Sequence, residues 1–147
     1  MEFRLREVEN WYQGEVHQFD EGERRHGVGA QVFHDGSMFE GTWHRGKITE
    51  GRFITAEGSV YTGKFQNDLY TGEARMSYLT GASYEGYYRN GKRHGLGTQV
   101  NGEGKVTLGR WENGELVEEF NEDTFDEEMA DYDPESEESK SDSDQLE

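Results

Sequence analysis

The sequence predicts an all-β protein, in which stacked β-hairpins form one elongated single-layer antiparallel sheet followed by a disordered acidic C-terminal tail. Two observations support this prediction. A pattern of aromatic residues and glycines recurs about every 23 residues, and all 20 glycines lie between Gly14 and Gly114. The chain also changes character abruptly near residue 117, where glycine disappears and acidic residues take over.

The overall composition excludes several classes of protein. The 147 residues contain no cysteine, so disulfide frameworks, thiol nucleophiles and cysteine-zinc sites are ruled out. No apolar run approaches the roughly 18 residues of a membrane-spanning helix. The N-terminus has no apolar segment typical of a signal peptide, so we expect a cytoplasmic protein.

The chain divides into three predicted segments. Residues 1–10 are interpreted as an N-terminal capping strand, because Phe3 and Leu5 would share one face beside the first repeat. Residues 11–117 hold about four and a half copies of the repeat. The copies begin at Tyr12, Phe39, Tyr61, Tyr84 and Thr107.

Each copy is typical of a β-hairpin. The first strand reads aromatic–Gly–aromatic at alternate positions, as in Tyr84, Gly86 and Tyr88, so these residues share one face of the sheet. Flanking rings can pack over the bare glycine backbone. Asn90-Gly91 predicts a tight turn within the hairpin. A second glycine-containing turn, such as Glu103-Gly104, leads to the next copy.

Residues 118–147 carry 15 acidic residues and one basic residue, whereas the rest of the chain carries 17 acidic and 14 basic residues. Such a charged segment buries too little apolar surface to offset its chain entropy, so we expect most of it to be disordered. Phe125, Met129 and Tyr132 nevertheless follow at helical spacing, and Thr124 begins a capping-box pattern. This pattern predicts a short docking helix at 124–132. A purely disordered acidic linker is the alternative.

The repeat resembles the MORN (membrane occupation and recognition nexus) family, most closely in the copy that runs from Tyr84 to Gly97. The resemblance covers about residues 11–116. Departures from the family pattern occur at Val16, Glu50, Asp68, Ala74 and Thr107. The resemblance implies a twisted sheet that serves as a protein-binding or lipid-associating scaffold, without chemistry of its own. It also implies a cytoskeletal or ciliary setting, such as a radial-spoke-like axonemal assembly.

An uncovered aromatic face suits binding of a partner protein, because a single-layer sheet cannot cover both of its own faces. The same rings have a structural interpretation, namely that they cover glycines and join adjacent hairpins. The residues predicted to bind a partner are Tyr12, Phe39, Trp43, Tyr61, Phe65, Tyr84, Tyr88, Trp111, Phe125, Met129 and Tyr132. Bare sheet edges would also allow two copies of the chain to pair.

A second hypothesis is a membrane-associated protein that binds phosphoinositides. Its candidate phosphate contacts are Arg24, Arg25, Lys92 and Arg93; the alternative is that these are ordinary solvated turn residues. A net charge of −17 opposes binding to anionic membranes and to nucleic acid, so we expect neither as a partner.

The sequence predicts no catalytic residue, no cofactor and no metal site. His26 and His94 occupy the same position of the repeat, directly before a Gly-x-Gly pair, which favours a structural role. A histidine base also needs an oriented partner and a pocket, and a thin sheet offers little concavity for one. We therefore expect a protein that is not an enzyme.

Overall fold

The computed structural model describes residues 10–137, which form an open ten-stranded antiparallel sheet with a helical segment after its last strand. Each strand pairs only with its neighbours in sequence, in the order β1 to β10. This architecture confirms the predicted fold class. The elements are β1 (Asn10–Phe19), β2 (Gly22–Phe33), β3 (Met38–His44), β4 (Lys47–Ile54), β5 (Val60–Gln66), β6 (Leu69–Ser77), β7 (Ser83–Arg89), β8 (Lys92–Val100), β9 (Val106–Glu112), β10 (Glu115–Phe120), α1 (Glu122–Ala130) and a 3₁₀-helix (Pro134–Glu137).

The hairpin turns follow from residues that tolerate left-handed backbone. Asn90 and Gly91 have φ of 51° and 83°, and Asn113 and Gly114 repeat these values closely. Two consecutive residues with positive φ are typical of the type I′ turn, whose twist matches that of the flanking strands. The Asn-Gly signal in the sequence therefore identifies these turns correctly.

One face of the sheet carries the core, which we call the aromatic face. The first-strand rings point to this face and pack edge to face, as Trp43 does against Phe39 and Tyr12 at centroid distances of 4.9 and 5.0 Å. Tyr61 and Tyr70 instead stack at 3.8 Å. The buried aromatic side chains are Phe39, Trp43, Tyr61, Phe65, Tyr84, Tyr88 and Trp111.

Glycines form a ladder across the sheet beneath these rings. Gly29 pairs with Gly14 on one side and with Gly41 on the other, and Gly97 pairs likewise with Gly86 and Gly109. The ring of Tyr84 lies where a Cβ of Gly97 would be, so a larger residue there has no room. The rings therefore cover the glycines, as the repeat pattern predicts.

The sheet continues beyond residue 117, where the sequence placed the end of the repeat array. β10 runs to Phe120, which pairs with Leu108. The charged sequence of β10 resembles the tail, but the second half of the fifth hairpin still forms because its backbone pairs with β9. α1 begins two residues before the predicted helix, and Asn121 rather than Thr124 is its N-cap: Asn121 Oδ1 accepts from the Thr124 amide at 2.8 Å.

The two ends of the chain lie outside the described residues. The capping strand predicted over residues 1–10 is therefore described only at Asn10, where β1 begins. Of the predicted tail, residues 118–137 are described, as the end of β10, α1 and the 3₁₀-helix. The remainder of the tail, 138–147, is outside.

Candidate partner-binding surfaces

The first-strand rings that the sequence predicts to bind a partner are largely buried. Phe39, Tyr61 and Tyr84 are at most 1% exposed, and Tyr12 is only partly buried. Burial raises the pKa of Tyr61, Tyr84 and Tyr88, because the charged phenolate is poorly solvated inside the core. These rings build the sheet, and a partner at this face meets the residues around them first.

The exposed part of the aromatic face is a shallow apolar groove that the sequence analysis missed. It is formed mainly by second-strand side chains, most of which pack against the buried core and are only partly buried. Phe53 pairs with both Phe39 and Tyr61 across neighbouring strands. Residues that pair directly share a face, so the cross-strand register places Phe53 on the aromatic face. The apolar side chains that line this groove, which we call the apolar groove, are Phe33, Ile48, Phe53, Phe65, Leu69 and Tyr70, and the turn residues Asp68 and Gly91 complete the lining.

Two of the four candidate phosphate contacts, Arg25 and Arg93, pack over aromatic rings of the core. The Arg93 guanidinium lies 4.2 Å above the Tyr84 ring and donates to Gln99 Oε1. Arg25 repeats the arrangement in the first hairpin, with Tyr12 at 4.4 Å and Gln31 as its acceptor. Burial lowers the pKa of Arg25. Each arginine therefore packs over a ring near one end of the aromatic core.

The other two candidates lie beside these arginines, without forming one basic site. Arg24 donates to the backbone carbonyls of Glu23 and Glu21 at 2.9 and 3.3 Å, and Lys92 is exposed. The two basic pairs lie on β2 and β8, which are six strand spacings apart. At about 4.8 Å per spacing this separation is about 29 Å. A single small headgroup cannot bridge them.

The two equivalent histidines support the turn of the following hairpin. His26 Nδ1 accepts from the Arg45 amide at 3.0 Å, and His94 Nδ1 accepts from the Asn113 amide at 3.5 Å. His26 also stands between His17 and His44, each 4.9 Å away between ring centroids. Desolvation, with the neighbouring charges of His17, His44 and Arg45, lowers the pKa of His26.

The face opposite the aromatic core differs along its length. Over β3 to β7 it carries exposed cross-strand ion pairs, Glu40 with Arg52 and Arg75 with Glu85. Over β8 and β9 it is covered by the chain after α1. There the Leu96 amide donates to the Tyr132 hydroxyl at 3.3 Å, and desolvation raises the pKa of Tyr132 to about 12.

The three tail residues predicted to dock on a partner thus lie near the protein's own sheet. Tyr132 packs against Tyr87 at a centroid distance of 5.0 Å, and Phe125 lies 6.3 Å from Phe120. Met129 borders the same face and is 38% exposed. Binding of a separate partner by these residues remains a prediction, and it would compete with the contacts seen here.

Other kinds of site find little support in the described part of the chain. Within residues 10–137, no three or more His, Asp or Glu side chains are placed to hold a metal ion. None of the helices in this range is long and apolar enough to cross a membrane.

An open sheet of repeated hairpins, each contacting only its neighbours, defines a solenoid-like repeat protein. The MORN repeat family model matches residues 39–49, 61–83 and 84–106, which belong to the second, third and fourth hairpins and the turns that follow the last two. The chain is a MORN repeat protein, and the first and fifth hairpins extend the matched array on either side. MORN repeats are a non-enzymatic repeat type suited to scaffold-type protein binding. No curated protein matches the chain.

Proposed function

We propose that this protein is a non-enzymatic adaptor that binds a partner protein along the aromatic face, in the cytoplasm and within a cytoskeletal or ciliary assembly. The observation that supports it best is the apolar groove, in which Phe33, Phe53 and Tyr70 are only partly buried beside a buried core. Contiguous apolar surface on a soluble protein marks an interaction site.

The shape and chemistry of the groove favour an amphipathic segment of the partner. Four rings and two aliphatic side chains line it between β2 and β6, and Leu69 stands at the rim, 45% exposed. An amphipathic helix or strand lays an apolar stripe into such a surface and leaves its charged side in water. The cytoskeletal or ciliary setting rests on the family resemblance alone.

The test is affinity purification from ciliated and non-ciliated cells with the full chain and two variants. Leu69→Glu places a charge at the groove rim, whereas Leu79→Glu changes a residue that is 77% exposed and outside the groove lining. We expect a protein enriched from ciliated cells to be retained by the wild type and by Leu79→Glu, and lost with Leu69→Glu. Equal recovery with both variants would exclude the groove as the binding surface.

The phosphoinositide hypothesis is the alternative, and Arg24 and Lys92 are the side chains that leave it open. Flotation with anionic vesicles, with and without phosphoinositide, tests it directly. Salt-sensitive binding that is lost in the Arg24→Gln/Lys92→Gln variant would favour this alternative. Pairing of two copies through β1 or β10 is a further alternative, for which sedimentation across a concentration series gives the test.

A further inference from the structure

The acidic residues 131–137, which we call the acidic segment, occupy a defined site on β8 and β9. The site lies on the face opposite the apolar groove. Leu96 is at its centre and pairs directly with Arg110 across the two strands. Leu96 is fully buried, although residues 10–137 form one sheet only and no second sheet covers its face.

Side chains and backbone groups of the sheet converge on this segment. Arg110, whose side chain is 16% exposed, forms an ion pair with Glu137, which is itself buried. The backbone carbonyl of Glu137 lies 3.4 Å from His94 Nε2. Arg89 donates to the carbonyl of Pro134 at 3.3 Å. Two cationic side chains, an imidazole and one backbone amide therefore recognise one short acidic stretch.

The first hairpin shows the same position without a covering segment among residues 10–137. Val28 is the counterpart of Leu96, between the two glycines of the pair, and is 62% exposed. Its amide bonds to the side chain of Glu15, a residue of the adjacent strand. In the fourth hairpin Tyr87 replaces that glutamate, so the Leu96 amide takes its acceptor from Tyr132 instead.

The acidic segment is held by few contacts outside this site. α1, which connects it to β10, contains no buried residue. Arg110 also pairs with Glu118 and Glu128 at 3.5 Å, but both carboxylates are largely exposed and such pairs contribute little. Arg89 and His94 contact only backbone carbonyls of the segment, so its side-chain recognition depends on Tyr132 and Glu137. Changing both side chains should therefore release the segment.

We propose that the β8–β9 face is a binding site for an acidic, tyrosine-containing segment of a partner protein, and that residues 131–137 occupy it as an intramolecular competitor. The partner segment carries a tyrosine whose hydroxyl accepts from the Leu96 amide. It also carries a carboxylate five residues later that pairs with Arg110. The protein is closed at this site until the partner displaces its own segment.

Mass action determines the size of the effect. A tethered segment has an effective concentration in the millimolar range, so it outcompetes a free segment of equal intrinsic affinity. The apparent association constant of a partner is therefore its intrinsic value multiplied by the fraction of protein in the open state. Weakening the intramolecular contact raises the partner's apparent affinity without changing the site.

The test uses a fluorescent peptide with the sequence of residues 128–137 as the probe. Fluorescence anisotropy compares the full-length wild type with the full-length release variant Tyr132→Ala/Glu137→Gln. We expect the release variant to bind at least about tenfold more tightly, because its own segment no longer competes. Adding Arg110→Gln to the release variant should abolish the gain. A peptide of scrambled sequence and equal charge should bind neither protein.

Two outcomes overturn the proposal. Equal affinity of the wild type and the release variant would show that the segment does not compete for the site. Amide hydrogen exchange gives the second test: the Leu96 amide should be protected in the wild type and should exchange faster in the release variant. An unprotected Leu96 amide in the wild type would mean that the segment is not docked in solution. Circular dichroism of all three proteins verifies that the sheet remains intact.

Discussion

The backbone amide of Arg45 donates a hydrogen bond to His26 Nδ1, which ties the turn between β3 and β4 to the preceding strand. An imidazole accepts at Nδ1 only when that nitrogen carries no proton. His26 also has His17 and His44 on either side, so its protonation adds a positive charge between two other titratable rings. The neutral ring is therefore the form that the folded sheet requires.

The free energy of unfolding should accordingly fall as the pH drops through the histidine range. The pKa of His26 is lowered in the folded protein, so the unfolded chain binds the proton at a higher pH than the sheet does. Stability from this group is present above about pH 6.5 and is lost below it. Urea denaturation between pH 5 and 8 gives the measurement.

His26→Asn is the informative variant, because an asparagine oxygen can accept from the Arg45 amide without titrating. We expect this variant to lose much of the decline in stability below about pH 6.5. His34→Asn, which changes an exposed histidine outside the ring cluster, is the matched control. A decline of the same size in both variants would assign the effect to another group.

Removing a core ring should cost far more than removing a turn side chain. Trp43 is 3% exposed and packs against two other rings, so Trp43→Ala should destabilise the sheet by about 3–5 kcal/mol. Glu57 is exposed in the turn after β4, and Glu57→Ala should cost less than about 0.5 kcal/mol. Chemical denaturation measures both. Similar losses would mean that the aromatic face is not the core.

The turn between β5 and β6 is less favourable than its counterparts. Asn67 and Asp68 have φ of 52° and 65°, so a non-glycine residue holds a position that Gly91 holds in the next hairpin. Asp68→Gly should raise the free energy of unfolding by about 1 kcal/mol, because it removes the cost of left-handed backbone for a side chain. The reciprocal change, Gly91→Asp, should lower it by a similar amount. Thermal melts should show a higher melting temperature for Asp68→Gly and a lower one for Gly91→Asp. A change in the same direction for both would contradict the role of the left-handed turn position.

The acidic segment contributes to stability through Leu96. A chain that ends at Asn121 uncovers this side chain, and the sheet should remain folded with about 1.5–3 kcal/mol less stability. A chain that ends at Glu138 keeps the Glu137 carbonyl in a peptide bond beside His94 and should match the full protein. Leu96→Ala should then be costly in the longer chain and nearly neutral in the shorter one. Equal costs in both would show that the sheet alone buries Leu96.

Much of the sheet was predictable because its determinants are local and repeated. Alternation assigns Phe39, Gly41 and Trp43 to one face, and Asn90-Gly91 predicts the twist of its hairpin. Both rules act within a few residues, so each copy carries them independently. The repeated positions of His26 and His94 likewise indicated a structural role, which their bonds to backbone amides explain.

The apolar groove and the C-terminal docking were harder to predict, because they depend on contacts between distant residues. Phe53 is unremarkable in β4 until register places it between Phe39 and Tyr61. The acidic segment has the composition of a disordered chain, and composition does not show that Arg110 and His94 lie within its reach. The extension of β10 to Phe120 was hidden for a similar reason, since the strand forms by pairing with β9 and its own sequence is highly charged.

The strictly sequential pairing of the strands has a consequence for how the protein is made. Every strand finds its partner among the residues just before it, so each hairpin can close soon after the ribosome releases it, at a small entropic cost. Folding then proceeds in step with translation, from the first hairpin to the fifth. The residues that cover Leu96 are synthesised after all ten strands, so the β8–β9 face is open to other molecules until translation has passed Glu137.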